Sequence, residues 1–141
     1  RMAVANTYRG SRACGNHGGT SVQNVKVQWR PGKTGVLNDL LQWADGRLLI
    51  LVFGEQSKAS LKRLQELSAS GLPVRCVQVL GKGHSAQARE HIWDKQGHLK
   101  SACNAVPNSG WALIRPDGYL ADTGQSVNGD LVASVATSLC L

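Results

Sequence analysis

Hydrophobic positions along this chain fall into blocks of two periods. Residues 47–54, "RLLILVFG", form an unbroken apolar run, as expected of a strand buried on both faces. Residues 57–71 follow with a helical period. Leu61, Leu64 and Leu67, with Ala59 and Ala69 beside them, make one stripe, while Lys58, Lys62, Arg63 and Glu66 point elsewhere. Ser57 is placed to cap this helix and Gly71 to end it. Pro73 bars its continuation. Residues 74–80, "VRCVQVL", read as a second strand. Strand, helix, strand in that order predicts a parallel crossover.

Further along, residues 85–105 are interrupted by Gly97 and read as one or two short helices, with Leu99, Ala102 and Cys103 turned to the core. "GWALIR" (110–115) and "GYLAD" (118–122) read as two strands joined at Pro116-Asp117-Gly118. The last segment, 129–141, spaces Leu131, Val135 and Leu139 four apart, with Val132 and Ala136 alongside. It reads as an amphipathic helix led by Asn128 or Asp130.

Before residue 47 the pattern weakens. "SRACGNHGGTS" (11–21) has too few apolar residues to pack alone. "VQNVKVQW" (22–29) alternates imperfectly and suggests an edge strand stopped by Arg30-Pro31-Gly32. Residues 35–47 fit either a short helix or a strand entering an Asp45-Gly46 turn, and period alone does not decide. Residues 1–35 are therefore expected to be a flexible N-terminal arm or linker, and 36–141 the folded domain. The element order, β-α-β then a helical link then β-β-α, predicts an α/β fold. A mixed central sheet with helices on both faces is the thioredoxin-like arrangement.

That fold invites a thiol-redox reading, which the sequence does not sustain. The reactive pair belongs just after the first core strand, at the following helix N-terminus, where the helix dipole lowers a thiol pKa. Here the segment reads Phe53-Gly54-Glu55-Gln56-Ser57-Lys58, with neither a C-x-x-C pair nor a single cysteine. The four cysteines, Cys14, Cys76, Cys103 and Cys140, are far apart in sequence. They are expected to be free thiols in a cytoplasmic protein. Pro107 precedes the last hairpin as a cis proline does in thioredoxins. The intervening Asn108-Ser109-Gly110 favours a trans loop proline.

Composition narrows the classes further. No apolar run reaches the ~20 residues of a membrane span, and the start, Arg1-Met2-Ala3-Val4, has no signal-peptide character. Arg1 is not an initiating residue, so a fragment of a longer protein is expected. The net charge is +7, which suits an anionic partner. The basic residues form no dense run with interleaved aromatics, which argues against nucleic acid.

Candidate chemistry is sparse. His84, His91 and His98 are seven apart, but Gly97 and the "GKGH" loop (81–84) break any helix that would align them. Cys14-x-x-His17 has no second ligand pair. "GKGH" lacks the spacing of a phosphate loop or dinucleotide fingerprint. No catalytic, cofactor-binding or metal-binding residue is assigned. The remaining candidate is Arg115-Pro116-Asp117-Gly118. Pro, Asp and Gly are all accounted for by a tight turn. Arg115 is not, and is expected either to pair with Asp117 or to contact a neighbouring surface.

One resemblance ties these pieces together. "ALIRPDGYLA" (112–121) resembles a segment near the C-terminus of FAD-dependent aromatic-ring hydroxylases of the phenol, phenylpropionate and polyketide types. "RPGKTG" (30–35) followed by "LNDLLQWADGRLLILVFG" (37–54) looks like the entry to the same C-terminal domain, and "TYRGS" (7–11) like the segment before it. The chain departs from the family in having Asp122-Thr123 where members often carry Trp-Arg, and Ala102-Cys103 where they often carry a Tyr-Gly pair. The resemblance implies a thioredoxin-like domain without redox cysteines. It also implies a parent that uses FAD and NAD(P)H, both bound outside this chain. The implied partners are the catalytic domains of the same polypeptide, or other copies in an oligomer, through Arg115, Pro116, Asp117 and Gly118. The other readings are a stand-alone thioredoxin-like thiol protein using Cys103 or Cys76, and a basic nucleic-acid module.

Overall fold

A computed structural model describes residues 20–30, 32–103 and 110–140. At its centre lies the apolar run, now β4 (Leu48–Phe53). It pairs in parallel with β5 (Val74–Leu80) and antiparallel with β7 (Trp111–Ile114). Helix α2 (Lys58–Ala69) makes the crossover between β4 and β5. Ser57 caps it by accepting the Ser60 N–H at 3.1 Å, and Gly71 takes φ +84 beyond its end.

The sheet has eight strands in the order β1-β8-β7-β4-β5-β6-β2-β3. The outer members are β1 (Thr20–Ser21), β2 (Lys26–Arg30), β3 (Lys33–Val36), β6 (His91–Trp93) and β8 (Tyr119–Gly124). Among the described residues there are three further helices: α1 (Leu37–Ala44), α3 (His98–Ala102) and α4 (Gly129–Ser138). Strand alternation sorts β4 onto two cores. Leu49 and Leu51 meet Leu37 and Leu40 of α1 and Leu99 of α3. Leu48, Ile50 and Val52 meet Leu64 and Leu67 of α2 and Leu131 and Val135 of α4. This is the thioredoxin-like α/β fold with a curled mixed sheet and helices on both faces.

Several local expectations change. Residues 20–35, placed in an arm, carry β1, β2 and all but the last residue of β3, so the sheet begins well before residue 36. β2 is not an edge strand, since β3 and β6 flank it. Segment 35–47 holds the end of β3 and then the helix α1. The carboxylate of Asp39 accepts the Val36 N–H at 2.9 Å at its start, and Asp45 (φ 54) and Gly46 (φ 81) end it in left-handed geometry. Segment 85–105 contains the strand β6 before its short helix. Pro107, Cys14 and His17 lie outside the described residues.

Candidate functional site

In open α/β sheets, ligands gather at the C-terminal ends of the central parallel strands. Here that region is a basin of about 760 Å³ whose walls include Gly54, Glu55, His84, Asp94 and Lys95. Among the described residues, no cysteine lines it. Its polar groups are engaged with one another's loops. Glu55 Oε2 accepts the Ser85 N–H at 2.8 Å, and His84 Nδ1 accepts the Gly81 N–H at 2.8 Å. The buried carboxylate of Asp94 accepts from the N–H groups of Leu99 and Lys100 at 3.0 and 3.2 Å, starting α3.

Beneath the basin, three glutamines fasten the β4–α2 corner. Gln78, 1% exposed, donates through Nε2 to the Gly54 carbonyl at 3.0 Å and to Gln87 Oε1 at 2.9 Å. Its Oε1 accepts the N–H groups of Gln87 and Ala88, each at 3.0 Å. Gln87 in turn accepts the Gln56 N–H at 2.6 Å and donates to the Gln56 carbonyl at 2.9 Å. Both ends of the buried amide are therefore satisfied, as a buried polar group requires. The corner that would hold reactive thiols is held shut by amides.

Two free cysteines lie elsewhere. Burial raises the Cys76 thiol above its ordinary range. Burial, with the charge of Asp94 adding to it, pushes Cys103 up to about 12. A thiol so shifted is almost wholly protonated at neutral pH and a poor nucleophile. Cys140 departs from the expected free thiol: it is disulfide-bonded. It sits exposed after α4 at φ +61. His84 is in a loop, His91 on β6 and His98 on α3, and among the described residues no group of His, Cys, Asp and Glu could hold a metal ion.

The β7–β8 hairpin brings its four candidate residues together. Gly118 N–H donates to the Arg115 carbonyl at 2.9 Å, closing the turn, and Gly118 adopts φ +87. Arg115 lays its fork on Asp117, Nε to Oδ1 at 3.1 Å and Nη2 to Oδ2 at 2.7 Å. Its guanidinium also lies 5.2 Å from the Tyr119 ring centroid. The Arg115 side chain is only 11% exposed. It is a turn clamp, and the i, i+2 spacing of Arg115 and Asp117 was the available sign of it.

A feature missed in the sequence lies on the opposite side of the sheet. Trp29 of β2 and Trp43 of α1 wall a groove of about 340 Å³, with Arg30 and Lys33 at its rim. Arg75 of β5 stacks on Trp43, 4.7 Å from the ring centroid. These residues come from four elements, so no local run announces them.

Residues 19–138 match the family model described as the HcaD C-terminal domain. No curated protein matches the chain. Among solved structures, the chain is similar to aklavinone-11 hydroxylase in complex with FAD and aklavinone, with TM-score 0.61 and 21% identity over 86% of this chain. It is similar to the flavin-dependent monooxygenase PieE in complex with FAD and substrate, with TM-score 0.60 and 15% identity, also over 86% of this chain. It spans only 21% and 19% of those two chains. It is also similar to the exposed lipoprotein thioredoxin of Streptococcus pneumoniae strain TIGR4, with TM-score 0.56 and 18% identity over 80% of this chain and 98% of that one.

Proposed function

The chain belongs to the HcaD C-terminal domain family, and on that footing we propose that it is the C-terminal domain of an FAD-dependent aromatic-ring monooxygenase, with no catalysis of its own. Its role in this reading is to pack on the catalytic domains of the same polypeptide or to carry contacts between copies. The observation that supports it is the family match over residues 19–138, joined to a redox corner occupied by Gly54-Glu55-Gln56-Ser57. A cytoplasmic location goes with the reading. Among the described residues, no helix is long and apolar enough to cross a membrane.

Among the described residues, those at the α2 N-terminus do not fit the pyrophosphate of FAD or NAD(P)H. A pyrophosphate needs free N–H groups at a helix N-terminus behind a glycine-rich turn. At α2 the Gln56 N–H goes to Gln87 and the Ser60 N–H to Ser57, and Glu55 adds a negative charge. In the proposed parent, flavin and nicotinamide therefore bind on the domains ahead of this one. Arg115, Pro116, Asp117 and Gly118 enter this reading through the hairpin's outer rim, where Tyr119 is 37% exposed. Arg115 itself is committed inside the turn.

Purified as the 141-residue chain, the protein is expected to be folded and colourless. A stoichiometric flavin absorbance at roughly 450 nm would overturn the placement of the cofactor outside it. The stand-alone thiol reading makes the opposite demand on Cys76 and Cys103. Alkylation with iodoacetamide at pH 7 is expected to be slow for both until the fold is unfolded in denaturant, and rapid reaction in the folded state would restore that reading.

A further inference from the structure

The charge of this protein is unevenly placed. Of its sixteen basic and nine acidic residues, the first 38 positions hold six basic and no acidic ones, and the remainder is close to neutral. In the described part of that segment, the cations are Lys26, Arg30 and Lys33, all exposed on the β2–β3 ribbon. None forms an ion pair with a described residue. Arg30 and Lys33 are direct cross-strand partners. Like charges in that position repel and weaken a ribbon.

The groove beside the ribbon supplies the other half of a binding surface. Trp29 and Trp43 wall it, and Arg75, outside its lining, stacks on Trp43. Tryptophan and arginine are the residues most often found carrying interface energy. Two carboxylates, Asp39 and Glu90, also line the groove. Asp39 is bound to the Val36 N–H at 2.9 Å, and Glu90 lies 4.0 Å from Arg89. Gly35 shapes the wall: the Trp29 indole lies over it so closely that a Cβ there would stand 2.4 Å from Nε1. β3 is also an edge of the sheet.

We infer that the Trp29–Trp43 groove and the Arg30–Lys33 rim form a docking site for an acidic peptide segment with an apolar anchor. The indoles receive the anchor, and the rim cations face its carboxylates. The inference deepens the reading above, in which such a segment belongs to the catalytic domains of the parent protein. It is independent of that parentage, because the site can be probed on this chain alone.

The probe is a fluorescein-labelled twelve-residue peptide of Glu, Leu and Phe, followed by anisotropy against the 141-residue chain. Saturable binding at low salt is expected, weakening about tenfold or more between 50 and 300 mM salt. The double variant Arg30→Glu/Lys33→Glu should weaken it at least about tenfold, and Trp29→Ala comparably. Lys58→Glu/Lys62→Glu, the same charge change on exposed α2, should leave it within about twofold. Circular dichroism and thermal melts establish that each variant remains folded. Absence of saturable binding overturns the site. Equal loss in the α2 variant overturns it as well, since net charge alone would then explain binding. Tighter capture of a twelve-nucleotide single-stranded DNA through Trp29, Arg30 and Lys33 overturns the peptide and puts nucleic acid in its place. If the peptide binds but no upstream coding region carries a G-x-G-x-x-G fingerprint, the flavoprotein parentage fails while the groove stands.

Discussion

The two hairpins at opposite ends of the sheet are built from the same parts and finished differently. Each reaches its turn on an Arg-Pro pair, Arg30-Pro31 in one and Arg115-Pro116 in the other. Each has a tryptophan lying over a glycine of the neighbouring strand, Trp29 over Gly35 and Trp111 over Gly124. In the β7–β8 hairpin everything is closed. Trp111 is 1% exposed with its Nε1–H on the Ser126 carbonyl at 2.9 Å, and Arg115 is clamped on Asp117. In the β2–β3 hairpin the indole is half-buried and the arginine faces a lysine. The lesson is that one carboxylate, two residues along, decides whether a turn arginine is spent inside the fold or left facing out.

Four substitutions test that contrast. The largest effect is expected from Gly124→Ala. A Cβ there would lie 2.3 Å from the Trp111 ring, which is packed on all sides and cannot retreat. A loss of about 3 kcal/mol in urea unfolding is expected. Next comes Asp117→Ala, which strips the mostly buried Arg115 of its fork and the Tyr119 N–H of an acceptor 3.2 Å away. This should cost about 1–2 kcal/mol, read from the same unfolding midpoint. Gly35→Ala repeats the first experiment on the open hairpin. Because Trp29 can swing toward solvent, the cost should be about 1 kcal/mol, with a red shift in tryptophan emission. A loss as large as that of Gly124→Ala would mean the two hairpins are equally closed. The smallest effect belongs to Lys33→Glu, which imports the missing acid opposite Arg30. It should stabilise by a few tenths of a kcal/mol, about 0.2–1 at most, and that gain should shrink as salt is added. Destabilisation by this change would show that the Arg30–Lys33 pair has a structural partner after all.

Legibility in the sequence followed the length and purity of each pattern. β4, α2, β5 and α4 each hold one period long enough to stand out, and the mixed sheet follows from their order. The strands that escaped notice are short or polar. β6 is three residues flanked by charge, and β3 is Lys33-Thr34-Gly35-Val36. Their place in the sheet is fixed by long-range pairing, such as Gln28 with Trp93, which no local window contains. The helix at 37–44 was undecided because its apolar spacing fits two periods. The deciding contact, Asp39 to the Val36 N–H, is a three-residue capping signal. At the candidate sites, the absence of thiols from the β4–α2 corner could be read directly. The pairing of Arg115 with Asp117 was open to the sequence through their spacing, whereas the Trp29–Trp43 groove was not, because it depends on where side chains of separate elements meet.

The glutamine fastening of the β4–α2 corner has a consequence for how the domain answers its surroundings. Its bonds run between side-chain amides and backbone groups, and none of these gains or loses a proton between about pH 4 and 10. None is a partner in oxidation. Where a thiol protein would register acidity and redox state at this corner, these glutamine bonds respond to neither. Whatever conditions alter the protein, this joint is expected to hold the same geometry, a fixed reference against which neighbouring parts can be aligned.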